Sequence, residues 1–457
     1  MKKTFIPLIF FILTYPSSFA QTKKDSWINL FDGKSLNGWK RFAGNADYKV
    51  ENGSIVGTTV LNSGNTFLVT EKEFSNFILE LDIRIEDTSS NSGIQVRSHF
   101  DPNGHEGKGL VYGYQCEIDP SSRMWSGGIY DEGRRDWLYP VSLNKRAQIS
   151  FKTHQFNHIK IACIGNEIRT WINNAPVSYL IDTMDKKGFI ALQVHGINKV
   201  EYAGEKVYFK NIRIKDVSRQ TDIYVENIYA VNTIPNYLSP SERKAGWQLL
   251  FDGNSSSGWK GVYKPSFPTS GWEIKDGEIS VLSSEGKESA NGGDIVTIKN
   301  YNAFDLSFDF KLTPGANSGV KYFVTLSEKN QGSAIGLEYQ VLDDSLHPDA
   351  KLGRDGNRTL ASLYDLITAN KQKRFVHKIG EWNTGRIIVY PNNHVEHYLN
   401  GVKVLEYERG STEFRDLVAL SKYKIWPNFG EAKEGHILLQ DHGNAVSYRS
   451  IKIKELK

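Results

Sequence analysis

The sequence predicts an all-β protein built from two tandem jelly-roll β-sandwiches with few short helices. Three observations support this fold. The 457 residues include 40 Gly, 22 Tyr, 23 Phe and 10 Trp, a composition that suits short strands and turns better than helix bundles. Many short segments alternate apolar and polar residues at period two, and the main motifs occur twice. The length also leaves room for two or three domains.

The first twenty residues have the pattern of an export signal. Lys2 and Lys3 give a positive start, residues 5–15 are mostly apolar, and small residues around Ala20 provide a cleavage point. We therefore predict a signal peptide over 1–20 and an exported mature protein, either periplasmic or secreted. A buried N-terminal helix is the alternative. No later stretch approaches the ~18 consecutive apolar residues that a membrane span requires.

The rest of the chain contains one sequence pattern twice. WINLFDGKSLNGW at 27–39 recurs as WQLLFDGNSSSGW at 247–259, NSG at 91–93 recurs at 317–319, and GFIALQVHG at 188–196 recurs as GHILLQDHG at 435–443. So long a period indicates tandem domains rather than a solenoid. We predict a first domain over 21–217 and a second over 245–457. The linker, 218–244, contains a capping-box pattern at Ser239 and Glu242 and is expected to form one short helix.

The predicted strands come from period-two alternation in both copies. Residues 77–84 (FILELDIR) and 304–311 (FDLSFDFK) alternate apolar with polar side chains, and 159–164, 394–399 and 437–440 behave similarly. Each copy ends in an alternating segment, at 207–215 and 446–454. Turn signals such as Asn-Gly and Asp-Gly separate these segments, as expected for an antiparallel sandwich.

Charge and cysteine content exclude two classes. The 56 Lys and Arg against 52 Asp and Glu give a net charge of +4, and two of those positive charges lie in the predicted signal peptide. A nucleic-acid partner is therefore not expected, because it requires a basic face. With two cysteines, no disulfide framework holds the fold. The spacing of Cys116 and Cys163 leaves open whether they pair or stay free and buried.

Polar residues lie on single faces of predicted strands. Glu338 and Gln340 share a face in the second copy, with Asp343 just beyond. In the first copy, the residues at i, i+2 and i+4 are Gln115, Glu117 and Asp119. Such groups cannot all line an apolar core without partners, so the face is either exposed to solvent or the floor of a polar groove.

Histidines are concentrated in the second copy. Gln440 and His442 share a strand face there, as Gln193 and His195 do in the first copy. Six of the eleven histidines fall in this copy, and five of them, at 347, 394, 397, 436 and 442, provide with two nearby carboxylates enough donors for a divalent metal ion, although no known metal-binding spacing occurs. Structural histidines are the alternative interpretation. The candidate metal ligands are Glu338, Asp343, His397 and His442.

Aromatic and arginine side chains in predicted loops are typical of sugar sites. A pyranose needs flat aromatic faces, which Trp125, Tyr130, Trp137, Tyr364 and Trp426 could supply. Each of these rings could equally close the end of a sandwich. The candidate arginine clamps are Arg97, Arg134, Arg135, Arg354 and Arg358, and each could equally be solvated or ion-paired.

These motifs resemble a known family. The opening LFDG…GW pattern, GLEYQVLD at 336–343, LYD at 363–365, NNHVEHYLNG at 392–401 and GHILLQDHG at 435–443 are similar to the 3-keto-disaccharide hydrolase domain. The resemblance covers nearly the whole chain as two copies and implies a concanavalin-like jelly roll. The first copy departs from the pattern, since Gln115 and Glu117 stand where the second copy has Glu338 and Gln340. It could be a degenerate partner, a binding module or an enzyme of another specificity.

The resemblance implies cleavage of the glycosidic bond in 3-keto sugars. Oxidation at C3 makes the C2 proton acidic, so a base can remove it, the C1–O bond then breaks by elimination, and water adds to the enone. Such a site needs a base, an electrophile at the C3 oxygen and a proton donor for the leaving oxygen. We expect Glu338 or His442 as base and Tyr364 as donor to the aglycone. Asp343, His397 and Gln440 are expected to hold the ketone or a metal.

The substrate is accordingly expected to be a 3-keto glycoside or disaccharide. The other candidate substrate-binding residues are Gln340, Arg354 and Asp365 in the second copy, and Gln115, Glu117, Asp119, Tyr130, Gln193 and His195 in the first.

Three other functions remain open on the sequence. A non-catalytic, lectin-like carbohydrate-binding protein would share the groove and the aromatic rings, and an adhesion module would bind no small sugar. A laminarinase-type glycosidase is less favoured, because Glu117 and Asp119 are not followed by the second glutamate of its acidic strand.

Overall fold

A computed structural model describes residues 26–217, 228–327 and 334–457. The predicted signal peptide and the linker residues 218–227 lie outside these ranges. The described chain is dominated by antiparallel sheets, so the predicted all-β fold of two tandem sandwiches is confirmed. None of the helices in the described residues is long and apolar enough to cross a membrane.

The first copy consists of a nine-stranded sheet A, with strand order β16-β13-β12-β11-β6-β15-β4-β3 and β1 beside β15, and a seven-stranded sheet B, β10-β9-β8-β7-β14-β5-β2. Its strands are β1 (Ile28–Asn29), β2 (Trp39–Ala43), β3 (Asp47–Glu51), β4 (Ser54–Thr58), β5 (Thr66–Phe74), β6 (Phe77–Ile85), β7 (Ser92–Asp101), β8 (Leu110–Ile118), β9 (Ile129–Glu132), β10 (Asp136–Tyr139), β11 (Asn157–Ile164), β12 (Glu167–Ile172), β13 (Ala175–Ile181), β14 (Gly188–Val194), β15 (Lys206–Asp216) and β16 (Val231–Asn232).

The second copy consists of an eight-stranded sheet C, β19-β20-β29-β22-β25-β26-β27 with β17 beside β29, and a five-stranded sheet D, β18-β21-β28-β23-β24. Its strands are β17 (Trp247–Leu249), β18 (Trp259–Gly261), β19 (Trp272–Lys275), β20 (Glu278–Val281), β21 (Ile295–Thr297), β22 (Phe304–Leu312), β23 (Asn317–Thr325), β24 (Ile335–Leu342), β25 (Trp382–Val389), β26 (His394–Leu399), β27 (Val402–Glu408), β28 (His436–Leu439) and β29 (Val446–Glu455).

Within the described ranges, helices are few and short. They are α1 (Gly104–Gly107), α2 (Pro240–Lys244) and α3 (Thr412–Ala419), with 3-10 turns at Val141–Ala147, Val200–Tyr202, Pro348–Lys351, Lys373–Phe375 and Lys422–Ile425. Helix α2 begins at a capping box, in which Ser239 Oγ accepts from the Glu242 amide and the Glu242 carboxylate accepts from the Ser239 amide.

Each sandwich has its own apolar core between its two sheets. Alternation in strands β6 and β22 sends side chains such as Leu79 and Leu306 inward against the facing sheet. Cys116 and Cys163 are buried in the first core as free thiols. The faces of sheets B and D turned away from these cores, called the outer faces below, carry polar residues beside smaller apolar clusters.

The two copies touch along one side. Strand β16, from the predicted linker, pairs in parallel with β13 at the edge of sheet A. The Ser142 hydroxyl donates to the Gly401 carbonyl of the second copy at 2.8 Å. Nearby, a buried ion pair joins Arg386 to Asp305 at 2.6 and 2.7 Å, with Tyr229 stacked on the guanidinium.

Candidate active site

A buried pair of opposite charges lies on the outer face of sheet D. Strands β23 and β24 pair so that Lys321 stands directly opposite Glu338. Their chain neighbours, such as Tyr322 and Leu337, point into the apolar core. Because side chains alternate along a strand, Lys321 and Glu338 must point away from that core. The Lys321 Nζ lies 4.0 Å from Glu338 Oε2, and both side chains are nearly fully buried.

The surroundings of Glu338 make its carboxylate a proton acceptor. Burial raises its pKa, while the charges of Lys321, Lys422 and His442 act in the opposite direction. With its amide nitrogen turned toward the carboxylate, Gln340 donates to Glu338 Oε1 at 3.1 Å and to the Ser318 carbonyl at 3.0 Å. A carboxylate whose pKa is raised in a partly closed site is suited to general base catalysis near neutral pH.

A glycine makes room for this carboxylate. Gly319, next but one to Lys321 on β23, lies beneath the Glu338 side chain. A Cβ atom at Gly319 would be 2.4 Å from Glu338 Oε1 and 2.9 Å from its Cδ. The repeated Asn-Ser-Gly motif therefore has a steric function in the second copy.

Tyr364 is oriented by a network of charged groups. Its hydroxyl donates to Asp349 Oδ2 at 2.8 Å. Arg358 bridges Asp349 and Asp365 at 2.9 and 2.7 Å, and the second oxygen of Asp365 accepts from the Lys422 amide at 2.8 Å. Burial raises the pKa of Tyr364 well above its ordinary value, so the phenol stays protonated. Asp365 thus supports the site rather than facing a ligand.

Lys422 adds a second cation. Its Nζ lies 4.3 Å from the centre of the Tyr364 ring. Desolvation lowers the pKa of Lys422, and the charge of Glu338 opposes that shift. Lys422 therefore brings a second positive charge to bear on Glu338.

The strand end at Gln440 supplies two unpaired polar atoms. Asp441 holds the turn, since its carboxylate accepts from the backbone amides of Gly293 and Gly443, each at 3.0 Å. On either side of it, the Gln440 Oε1 and His442 Nδ1 atoms are buried and have no hydrogen-bond partner. The rings of His442 and His347 meet edge to face at 5.8 Å. These free atoms are available to a ligand.

Three of the predicted residues lie elsewhere or are engaged. His397 lies in the core between the sheets, where Nε2 bonds the Tyr322 hydroxyl at 2.8 Å and Nδ1 lies 3.2 Å from the Ala361 carbonyl. Burial lowers the pKa of His397 to about 4. The Asp343 carboxylate accepts from the amides of Gly315 and Ser345, at 2.8 and 2.9 Å. Arg354 is exposed, away from these contacts.

These placements bear on the predicted metal site. Of the four candidate ligands, Asp343 and His397 are committed to the protein, which leaves Glu338 and His442. Two donors do not make a closed metal site, so these four residues do not form the predicted one. Across the described residues, one group of three ligand atoms lies within 4.8 Å, at His394, Glu396 and Glu406. Lys403 Nζ lies 3.2 Å from Glu396 and also bonds Glu406, so these carboxylates already have a cation.

The first copy brings together a related site without the lysine–glutamate pair. Gln115 Nε2 donates to Glu117 Oε2 at 2.6 Å, and Asn91 Nδ2 donates to Glu117 Oε1 at 2.7 Å. Burial raises the pKa of Glu117 to about 7. The Gln193 Oε1 atom is buried and unpaired, as in Gln440, and His195 follows on the exposed side.

Two other predicted residues of the first copy are held by neighbours. Asp119 pairs with Arg123 at 2.7 Å, and Tyr130 donates to Asp136 at 2.7 Å while its ring meets Trp137.

Lys321, Lys422 and Asp349 are the functional residues that the sequence analysis missed. The sequence pattern could have identified Lys321, because it alternates with the apolar Val320 and Tyr322. Lys321 therefore lies on the same side of the sheet as Gln440. Lys422 and Asp349 come from 3-10 turns in long loops, whose placement depends on contacts distant in sequence.

This combination of a jelly-roll sandwich with a buried acid–base cluster and unpaired acceptors on one face defines a carbohydrate hydrolase class of site. The chain matches the 3-keto-alpha-glucoside-1,2-lyase-like domain over residues 26–215 and again over 246–454, and it belongs to that family. The resemblance inferred from the motifs is thereby confirmed.

Relatives and solved structures are similar to parts of the chain. A 3-keto-disaccharide hydrolase of Bacteroides thetaiotaomicron (strain ATCC 29148) is 39% identical over 232 residues, covering 46% of this chain and 79% of the relative. A "putative glycosyl hydrolase" from Parabacteroides distasonis ATCC 8503 is 29% identical, with a TM-score of 0.42 over 49% of this chain and 100% of the other. The carbohydrate-binding module CBM66 from Bacillus subtilis is 16% identical, with a TM-score of 0.28 over 39% of this chain and 96% of the other.

Proposed function

We propose that the second copy cleaves the glycosidic bond of 3-keto glycosides by C2 proton abstraction, elimination and hydration, a net hydrolysis. The observation that carries the proposal is Glu338, a buried carboxylate of raised pKa that faces Lys321 at 4.0 Å. The 39% identity to a 3-keto-disaccharide hydrolase supports the choice of substrate class. The signal-like residues 1–20 support an exported location as part of the proposal.

In the first step, Glu338 takes the proton from C2 of the keto sugar. The electron pair moves onto the C3 oxygen, and the resulting enolate needs a nearby positive charge. Lys422 is the cation proposed to face this oxygen, because its charge acts on Glu338 and its Nζ lies against the Tyr364 ring. Lys321 remains paired with Glu338, and its charge favours the ionised form of the base.

In the second step, the enolate electrons return and the C1–O bond breaks, leaving a C1=C2 double bond beside the C3 ketone. His442 is the proposed proton donor to the departing oxygen, since its Nδ1 has no protein partner. Tyr364, whose hydroxyl is committed to Asp349, has the role of orienting the site. Water then adds its oxygen to C1, His442 takes the water proton, and Glu338 returns its proton to C2.

The direct test measures release of the aglycone from a methyl or aryl 3-keto glucoside by the mature protein, with the matching ordinary glucoside as control. We expect release from the keto sugar alone, because only its C2 proton is acidic. Cleavage of the ordinary glucoside would contradict the mechanism and favour a conventional glycosidase. Repeating the assay with a chelator tests whether a divalent ion takes part.

Gly319→Ala provides a steric prediction for the same assay. The added Cβ would meet Glu338 Oε1 at 2.4 Å and displace the carboxylate, so we expect kcat/KM to fall by about 10²-fold. Gly64→Ala is the matched control, because a Cβ there has nothing within 4 Å. Equal activity of the two variants would show that the position of Glu338 does not matter.

A further inference from the structure

The register of the sheets aligns the two copies position by position. On β7 and β8, Gln95 stands opposite Gln115 and Gly93 opposite Glu117. On β23 and β24, the corresponding pairs are Lys321 with Glu338 and Gly319 with Gln340. The buried ion pair of the second copy is thus replaced by two neutral amides in the first.

An amide can accept and donate hydrogen bonds, but it does not act as a base near neutral pH. The one carboxylate at this place, Glu117, has both oxygens engaged by Gln115 and Asn91. Gln95 completes the chain by donating to Gln115 Oε1 at 2.8 Å, and the Ser98 hydroxyl donates to Gln95 at 2.5 Å. This network is suited to holding a polar ligand: its one carboxylate has both oxygens engaged by amides, and Gln95 stands where the second copy has the cation Lys321.

Two buried oxygen atoms beside the network have no donor. Gln193 stands opposite Gly93, on the other side from Glu117, so all three share the outer face. The Gln193 side chain is 1% exposed, yet its Oε1 has no partner, and the Oδ1 of Asn91 is likewise buried and unpaired. Since nearly all buried polar atoms in proteins are paired, two unpaired acceptors indicate a ligand that brings hydroxyl donors.

A cavity adjoins Asn91. It has a volume of about 210 Å³, and its lining includes Asn91, His195, Tyr202 and Glu205. Asn91 therefore connects the cavity with the Glu117 network. Tyr202 offers an aromatic ring and Glu205 a carboxylate acceptor, a combination that suits one pyranose unit.

We propose that the first copy is a non-catalytic carbohydrate-binding site, which takes one neutral pyranose whose hydroxyls donate to Asn91 and Gln193. The claim that this site is non-catalytic rests on the proposed function of the second copy. The claim that it binds a sugar is independent of that function. One chain would then hold a sugar on its first copy while the second copy cleaves a keto glycoside.

The test counts binding sites by equilibrium dialysis of the mature Glu338→Gln protein against labelled methyl 3-keto glucoside, and separately against methyl glucoside. We expect two sites for each chain with the keto sugar. Adding N91A and Q193M should weaken the first-copy site by about tenfold or more for each lost hydrogen bond, which leaves one site. Adding Q440M instead should weaken the second-copy site. N103A with Q155M, two exposed positions of the first copy, is the matched control and should keep two sites.

The outcomes separate the two proposals. Two sites that persist in the N91A/Q193M protein, or a single site lost only with Q440M, would overturn the binding proposal. Cleavage retained by Glu338→Gln and lost with N91A/Q193M would overturn the non-catalytic assignment. If the wild type cleaves no keto sugar yet binds two, the proposed function fails while the binding proposal stands. Circular dichroism melting checks folding, and N91A alone, at a half-buried position, serves if the double variant unfolds.

Discussion

Replacing Glu338 by Gln is expected to lower kcat/KM for a 3-keto glucoside by about 10²–10⁴-fold, the range that general base catalysis usually contributes. The substitution keeps the shape of the side chain and removes its basic oxygen. The amide oxygen still offers a partial negative charge to Lys321, whose Nζ lies 4.0 Å from the present carboxylate. We therefore expect loss of activity with only a small change in melting temperature.

The matched control for this variant is Glu273→Gln, an exposed carboxylate on β19 of the same copy. It should retain wild-type kinetics. Full activity of a folded Glu338→Gln protein would exclude Glu338 as the base and direct attention to His442. The initial rate of aglycone release, measured for both variants with the wild type, decides between these results.

The sandwich could be predicted because its determinants are local and repeated. Period-two alternation over 77–84 and 304–311 specifies both the strand and its buried face, and β6 and β22 follow it closely. The capping box at Ser239 likewise contains its own partners within four residues. Strand β16 was not predicted, because two residues carry no periodicity and its pairing with β13 depends on the end of the first copy.

The positions of site residues could be predicted only where alternation along a strand determines which face they lie on. Glu338, Gln340 and Gln440 lie as alternation suggested, but abundance of histidine was a poor guide to position. His397 shares a strand face with Val395 and Leu399, which are both in the apolar core, so its own strand already indicated a buried structural role. The same reasoning applied to Lys321 would have found the cation opposite Glu338.

Residues in loops account for the remaining differences between the predicted site and the observed one. Asp343 follows a strand directly and precedes Asp344 and Ser345, a pattern in which a carboxylate often bonds the backbone of its own turn. That is its role here, through the Ser345 amide. Lys422 reaches the site only because Asp365, 57 residues earlier in the chain, holds its backbone amide. No local pattern contains that information.

Lys321→Met is expected to change both stability and pH dependence, because it leaves the buried Glu338 carboxylate without its neighbouring cation. Removing one partner of a buried ion pair typically destabilises a protein by about 3–5 kcal/mol. Here Glu338 can relieve part of that cost by taking up a proton, since burial already raises its pKa. We therefore expect the free energy of unfolding to fall by about 3 kcal/mol at neutral pH, measured by urea denaturation.

The pH profile gives the more specific result. Glu338 acts as a base only when ionised, so kcat/KM falls as the pH drops through its pKa. Lys321 lowers that pKa, and its removal must raise it, which moves the acid limb of the profile to higher pH and lets activity recover in alkali. Lys321→Gln combined with Glu338→Gln reproduces the Gln95–Gln115 pair of the first copy and should regain stability without activity. An unshifted acid limb in Lys321→Met would mean that the lysine does not act on the base, and the charge pair would then be structural alone.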